Sequence, residues 1–209
     1  MADVDFFFDP VCPWAWITSR WVTEVARLRH LEVDWRFISL RMVNHERDYE
    51  TDFPPGYVDG HTLGLQLLQV AAAAREQADN AGVARLYEVL GDRIHVQGRR
   101  DELMSTSGIG SALADAGLPT GLATAADDER HYKLVRAETD LALARAGADV
   151  GTPIVTFAPP NGPSFFGPVI SRVPRGDEAL ALWDATERLA RFPGFAELKR
   201  SLREPPQFT

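Results

Sequence analysis

With 209 residues, 45% of them hydrophobic and 25% charged, the chain has the mix of an ordinary globular protein long enough to bury a core. A net charge of −8 gives no basic footprint for nucleic acid, and no apolar run is long enough to span a bilayer. The acidic start, Met1-Ala2-Asp3-Val4-Asp5, is read as leaving no room for a signal peptide, and a single cysteine excludes a disulfide framework, so the expected setting is cytoplasmic.

Val4 to Phe8 is a short apolar run without alternation, which suits a fully buried central strand. Pro13 then stands where proline is favoured, at a first helical position. From there Trp14, Ile17, Trp21, Val22, Val25 and Leu28 form an apolar stripe at helical spacing. Between Leu31 and Leu40, Val33, Trp35 and Phe37 alternate with Asp34 and Arg36, the pattern of a half-buried strand. The first 40 residues thus read as a βαβ unit with parallel strands and a right-handed crossover. A polar, proline-bearing loop from 44 to 57 follows. Helices are then expected over His61–Ala81, Val83–Gln97, Asp101–Ala116 and Asp127–Ala146, with Gly98, Gly117 and Gly147 as stops. Strands return at Ile154–Phe157 and Ser164–Phe166, joined as an antiparallel hairpin across Pro159-Pro160-Asn161-Gly162-Pro163. A helix over Asp177–Arg191 and a short one over Gly194–Leu202 close the chain. The order βαβ, helical insertion, ββα is an α/β thioredoxin fold. Residues 1–43 and 148–209 form the thioredoxin-like part and 58–147 the all-helical insertion.

Cys12 sits between the first strand and the first helix, in Asp9-Pro10-Val11-Cys12-Pro13-Trp14-Ala15-Trp16. A thiol titrating at about 8.5 becomes more acidic at a helix N-terminus, where free N–H groups and the dipole stabilise the anion. Pro13 has no N–H, so later residues must supply the donors. Cys12 is therefore the expected nucleophile, held as a thiolate at the mouth of the helix. The place of a second cysteine, three residues on, is taken by Ala15. One sulfur cannot close an internal disulfide, so redox chemistry here needs a second thiol from outside. Val150-Gly151-Thr152-Pro153 just precedes a strand, where proline is tolerated.

Phe8-Asp9-Pro10 with Cys12-Pro13-Trp14, the helical insertion, Gly151-Thr152-Pro153 and Phe166-Gly167-Pro168 together resemble the DsbA-like oxidoreductases. Trp16-Ile17-Thr18-Ser19-Arg20-Trp21, Arg93-Ile94-His95-Val96-Gln97-Gly98 and Glu204-Pro205-Pro206-Gln207-Phe208 narrow the resemblance to the mycothiol-dependent nitroreductase branch, across essentially the whole chain. The resemblance implies a cytoplasmic enzyme that takes electrons from mycothiol as co-substrate and reduces nitro-aromatic or disulfide-type compounds. It places the nucleophile on Cys12 and a cis-proline on Pro153, facing it. Ala15 departs from the dithiol members, which puts general dithiol oxidase activity in doubt and leaves monothiol chemistry.

The expected binding residues are Pro13, Trp14, Ala15, Asn44, Tyr57, His95, Gln97, Thr152 and Pro153. Trp14 offers an aromatic wall; Asn44, His45, Arg47 and Tyr57 lie in or beside a loop able to overhang the site. His95 and Gln97 end a helix of the insertion, where a histidine also serves as a dipole partner. Trp16 and Trp21 read as core. The histidines at 30, 45, 61, 95 and 131 show no metal-ligand spacing, and no Gly-rich phosphate loop follows a strand, so neither metal nor flavin is expected. Arg99-Arg100 and Arg172 to Arg175 read as solvated faces, with an arginine near the cleft able to hold an anionic group. The partners are then a small thiol and a small electrophile, without nucleic acid or membrane; a homodimer is allowed. Two other readings stand beside this one: a kappa-like thiol S-transferase or isomerase, and a redox-silent thiol-binding module.

Overall fold

Strand β1, Val4–Phe8, is buried at every position in the computed structural model, which describes residues 2–200 and 204–208. The reason is its central place. It pairs in parallel with β2 (Val33–Phe37) and antiparallel with β3 (Ile154–Phe157), and β4 (Ser164–Phe166) lies antiparallel outside β3. Phe6 and Phe8 enter the larger apolar cluster, while Phe7 packs with Ile38, Ala142 and Ile154 in a smaller one. A strand covered on both faces needs apolar residues on both, so its sequence shows no alternation.

Helix α1 (Pro13–Arg29) carries Pro13 in its first turn and buries Trp16, Ile17, Trp21, Val22 and Val25. The Trp21 indole N–H donates to the Ala179 carbonyl at 2.9 Å, tying α1 to the last helix, α6 (Gly176–Ala190). On the Phe7 side the sheet bears charge. Arg145 of α5 (Glu129–Ala146) meets Asp5 at 2.7 Å, and Glu138 holds Arg36 and Arg75, each at 3.0 Å. Acids this deeply buried require such partners.

The insertion follows α2 (Leu40–Val43) and runs through α3 (Tyr57–Gly91), a π turn Asp92–Val96, a 3-10 turn Arg100–Met104, α4 (Thr106–Asp115), a 3-10 segment Thr120–Asp127 and α5. Among the described residues none of it is strand. It also closes the outer edge of β2, which would otherwise be open to another chain. The Trp35 N–H donates to Asn80 Oδ1 at 2.8 Å, the Phe37 N–H to Glu138 Oε2 at 2.8 Å, and the Ser39 N–H to Thr139 Oγ1 at 3.0 Å.

Four sequence expectations shift. The break expected near residue 82 falls at Ala78 and Asp79, the latter at φ 53°, which turns Asn80 toward the β2 edge. The helix expected over Asp101–Ala116 is divided at Ser105, whose hydroxyl accepts from the Gly108 N–H and so starts α4 afresh. The stretch between the helices expected over Asp101–Ala116 and Asp127–Ala146 is not without structure: Thr120–Asp127 is 3-10 helix with Ala123, Ala125 and Ala126 buried, and α5 starts at Glu129. The short helix expected over Gly194–Leu202 is absent from residues 194–200; 201 and 202 lie outside the described residues. Leu198 is 79% exposed there, and a segment this short without a buried face does not hold a helix.

Candidate active site

The site is built where β1 ends. The Cys12 N–H donates to the Asp9 carbonyl at 3.1 Å, forming a tight turn. The Asp9 carboxyl lies inside it, accepting from the Val11 N–H at 3.2 Å and from the Leu40 N–H at 2.8 Å. Gly64 of α3 packs so closely that a Cβ there would stand 2.4 Å from Asp9 Oδ1. Asp9 thus joins the turn to the start of α2 and to the insertion.

Cys12 is the N-cap of α1. Its Sγ accepts from the Ala15 N–H at 3.5 Å, the donor that Pro13 cannot supply. The thiol donates in turn to the Thr152 carbonyl at 3.5 Å. Thr152–Pro153 is a cis peptide, and the Thr152 hydroxyl donates to the Phe7 carbonyl at 3.2 Å. Two motifs about 140 residues apart therefore meet at one sulfur.

The expected thiolate is corrected by this geometry. Cys12 is only 5% exposed, and burial pushes its thiol up to about 12. The Ala15 N–H pulls the other way and the nearby Asp9 carboxyl adds to the rise. Burial outweighs the helix terminus because an isolated anion loses more hydration than a few N–H groups return. Asp9 is itself raised to about 7, again by burial, against the two N–H groups that favour its anion. The resting site therefore holds a neutral thiol with one donor and one acceptor already matched.

A cleft of about 710 Å³ opens beside the sulfur. Val11, Cys12, Pro13 and Trp14 form one wall, Leu40, Val43, Asn44 and Arg47 a second, and Ala148 to Gly151 a third. The insertion closes it with Phe53, Gly56, Tyr57, Gly60, His61 and Arg100. Of the expected residues, Cys12, Pro13, Trp14, Asn44 and Tyr57 line this cleft, with Tyr57 46% exposed, and Thr152 and Pro153 stand behind the sulfur. Arg100, read as a solvated face, reaches the rim. Ala15, His95 and Gln97 do not line it. Ala15 is fully buried under the turn and offers only its N–H. The His95 ring turns to the Pro10 carbonyl at 2.9 Å, behind the turn, and Gln97 is exposed and donates to Asp92.

The sequence reading passed over Asp9, Phe53, His61 and Asp149. Their signals are modest: an acid that directly follows three phenylalanines is expected to be buried with partners, and Tyr49, Phe53, Tyr57 and His61 recur every fourth residue. Those rings do associate, Tyr49 on Phe53 at 4.8 Å and Phe53 on Tyr57 at 5.8 Å. The Tyr49 hydroxyl bonds His61 Nδ1 at 2.9 Å, and burial, aided by Arg41, lowers the His61 imidazole to about 4. The wall beside Cys12 is aromatic and, at neutral pH, uncharged at His61. Among the described residues no cluster of His, Cys, Asp and Glu could hold a metal ion.

A family model termed Rv2466c-like, described as mycothiol-dependent nitroreductase Rv2466c, matches residues 11–200. The uncharacterized protein Rv2286c of Mycobacterium tuberculosis (strain ATCC 25618 / H37Rv) is 29% identical over 211 residues, covering 96% of this chain and 82% of that protein. Among solved structures, the cytosolic disulfide reductase DsbM from Pseudomonas aeruginosa matches at TM-score 0.56 and 20% identity, over 90% of this chain and 99% of that one. A 2-hydroxychromene-2-carboxylate isomerase matches at TM-score 0.56 and 16% identity, over 90% and 96%. The fold is the α/β thioredoxin-like DsbA fold with a long helical insertion and a mixed four-stranded sheet.

Proposed function

The chain belongs to the Rv2466c-like family of mycothiol-dependent nitroreductases, and from that premise we propose that it is a monothiol oxidoreductase using mycothiol as electron donor. Its substrates in this reading are nitro-aromatic compounds or mixed disulfides, and Cys12 is its one nucleophile. The observation that carries the reading is the meeting of the Cys12 sulfur, the Ala15 N–H and the Thr152 carbonyl beside cis-Pro153, at the edge of an aromatic-walled cleft.

The chemistry balances with one enzyme sulfur. For a mixed disulfide of substrate and mycothiol, the Cys12 thiolate attacks the mycothiol sulfur and the substrate leaves as a thiolate. A second mycothiol thiolate then attacks the Cys12–mycothiol disulfide, releasing the mycothiol disulfide and restoring Cys12. For a nitro compound, two mycothiol thiols give two electrons and two protons. The products are the nitroso compound, water and the mycothiol disulfide. Ala15 removes the internal resolving thiol, so the mixed disulfide waits for an external one. Since the resting thiol is neutral, Cys12 must release its proton to solvent as ligand fills the cleft, and the departing substrate thiolate takes one up, so that the exchange balances as thiol plus disulfide to thiol plus disulfide. The Ala15 N–H remains to hold the anion, and the Thr152 carbonyl, an acceptor, turns unfavourable to it.

Intact mass after incubation with oxidised mycothiol tests the thiol step: a single adduct, lost in Cys12→Ser, is expected. Turnover of a nitro-aromatic with mycothiol tests the rest. Equal turnover in Cys12→Ser, or none in the parent protein, would sink the reading. The neutral resting thiol favours one second reading, a kappa-like S-transferase or isomerase that holds the co-substrate thiolate while Cys12 donates a hydrogen bond. That reading predicts conversion of an electrophile with no oxidised mycothiol accumulating.

A further inference from the structure

The C-terminal segment Glu204-Pro205-Pro206-Gln207-Phe208 lies far from Cys12 in sequence and lines no part of the cleft. It is nevertheless fastened to the protein. The Gln207 N–H donates to the Ser171 carbonyl at 2.7 Å, and the Ser171 hydroxyl donates to Glu204 Oε2 at 3.0 Å. Phe208 is half-buried, its ring 5.4 Å from the His95 ring and inclined by 31°. Trp16 also stacks with His95, its ring centroid at 6.1 Å and its plane inclined by 23°. The imidazole thus packs with both a residue of α1 and the end of the chain.

His95 is aimed by an unusual piece of backbone. It belongs to the π turn Asp92–Val96, a rare helical form that is frequent at functional sites. Its Nε2 bonds the Pro10 carbonyl at 2.9 Å. A carbonyl only accepts, so Nε2 carries the proton. Burial lowers the ring to about 4, so it is neutral and its tautomer is fixed.

That bond completes a second one. The Pro10–Val11 peptide has its carbonyl on His95 and its N–H on Asp9 Oδ1 at 3.2 Å. Both edges of one peptide plane are pinned, one residue before Cys12. A rotation of that plane would point a carbonyl at the buried Asp9 carboxyl in place of an N–H. It would also redirect the chain entering Cys12.

We propose that the C-terminal segment is a strap of the active site: Phe208 holds His95 as the donor that fixes the Pro10–Val11 peptide, and through it the Cys12 turn. His95 and Phe208 are positioning residues in this account. The link to catalysis rests on the thiol reading above; the link to the turn does not.

The full-length protein is compared with His95→Phe, which keeps a ring and loses the donor, with His95→Gln, which keeps a donor, and with Phe208→Ala. Hydrogen–deuterium exchange of segment 9–15 reads the turn directly, because the Val11 and Cys12 amides both donate to Asp9. Exchange is expected to rise about tenfold in His95→Phe and in Phe208→Ala, and to stay within about twofold of the parent in His95→Gln. With mycothiol and a nitro-aromatic, kcat is expected to fall about tenfold in the first two variants while KM moves less than about twofold, since neither residue touches the cleft. Unchanged exchange in His95→Phe overturns the strap, as does equal disturbance by His95→Gln. Should His95→Phe not fold, Phe208→Ala decides by the same measure, with unchanged exchange counting against the strap. A parent protein without turnover defeats the thiol reading, while the exchange result still judges the strap.

Discussion

Replacing Asp9 by asparagine tests the electrostatics of the turn. Asp9 is wholly buried, its two oxygens are taken by the Val11 and Leu40 N–H groups, and Gly64 packs directly against the carboxylate. Burial raises the carboxyl from 3.8 to about 7, so the native fold binds this proton more tightly than the unfolded chain does. The stabilisation is fully present below pH 3.8 and is lost as pH rises through about 7. A rise of that size corresponds to at most about 4 kcal/mol, and relaxation of the turn brings the expected value to about 2 to 4 kcal/mol. The side-chain amide of Asp9→Asn cannot ionise, so the variant's stability should lack this slope. That amide presents an NH₂ to one of the two backbone donors, at a cost of about 1 to 3 kcal/mol. Urea unfolding from pH 4 to pH 8 should therefore show Asp9→Asn weaker than the parent at pH 4 and gaining about 2 to 4 kcal/mol on it by pH 8. Other titrating groups cancel in the difference. Since Asp9 also raises the Cys12 thiol, the variant should react faster with iodoacetamide at pH 8. Parallel pH profiles for the two proteins would refute the reasoning.

Four further predictions concern other parts of the molecule. Ala15→Cys, placed where the N–H already reaches Cys12 Sγ, should on oxidation lose two hydrogens in intact mass and no longer retain a mycothiol adduct. Glu138→Ala strands Arg75 and the Phe37 N–H and leaves Arg36 only its longer contacts to Asp34 and Asp5, and should cost about 3 to 5 kcal/mol in urea unfolding. Gly91→Ala would put a Cβ 2.1 Å from Trp16 Cε3. Thermal unfolding should show a loss of about 1 to 3 kcal/mol or more, from overpacking. Asn80→Ala frees the Trp35 N–H at the β2 edge and should cost about 1 to 3 kcal/mol, with faster amide exchange at Trp35.

Local pattern carried most of the fold into view. A largely apolar run, a proline at a helix start, an alternating run and a hairpin turn are short-range signals, and each placed its element within a few residues. The boundaries that moved were those set from a distance. The break in α3 lies where Asn80 can serve the β2 edge, a demand made by strand residues 45 positions earlier. Residues 194–200 have some helical spacing, but only Phe195 finds a surface, stacked on Phe165, and the rest are exposed.

The site divides in the same way. Residue type and order pointed to Cys12 at the mouth of a helix and to Trp14, Asn44 and Tyr57 as neighbours of the cleft, because cap and loop residues announce themselves locally, whereas Pro153 opposite Cys12 came from the family resemblance. Whether the sulfur rests as thiol or anion was beyond its reach. The same N-cap in water would be an acidic thiol; here the desolvation imposed by packed side chains overrides it, together with a buried carboxyl three residues away. His95 shows the same limit. Its segment marks it as special, yet only the packing of a π turn against Trp16 and Phe208 sends its proton to the Pro10 carbonyl rather than into the cleft. Spacing along a chain reports which residues share a face; hydration and aim depend on what the rest of the chain brings against that face.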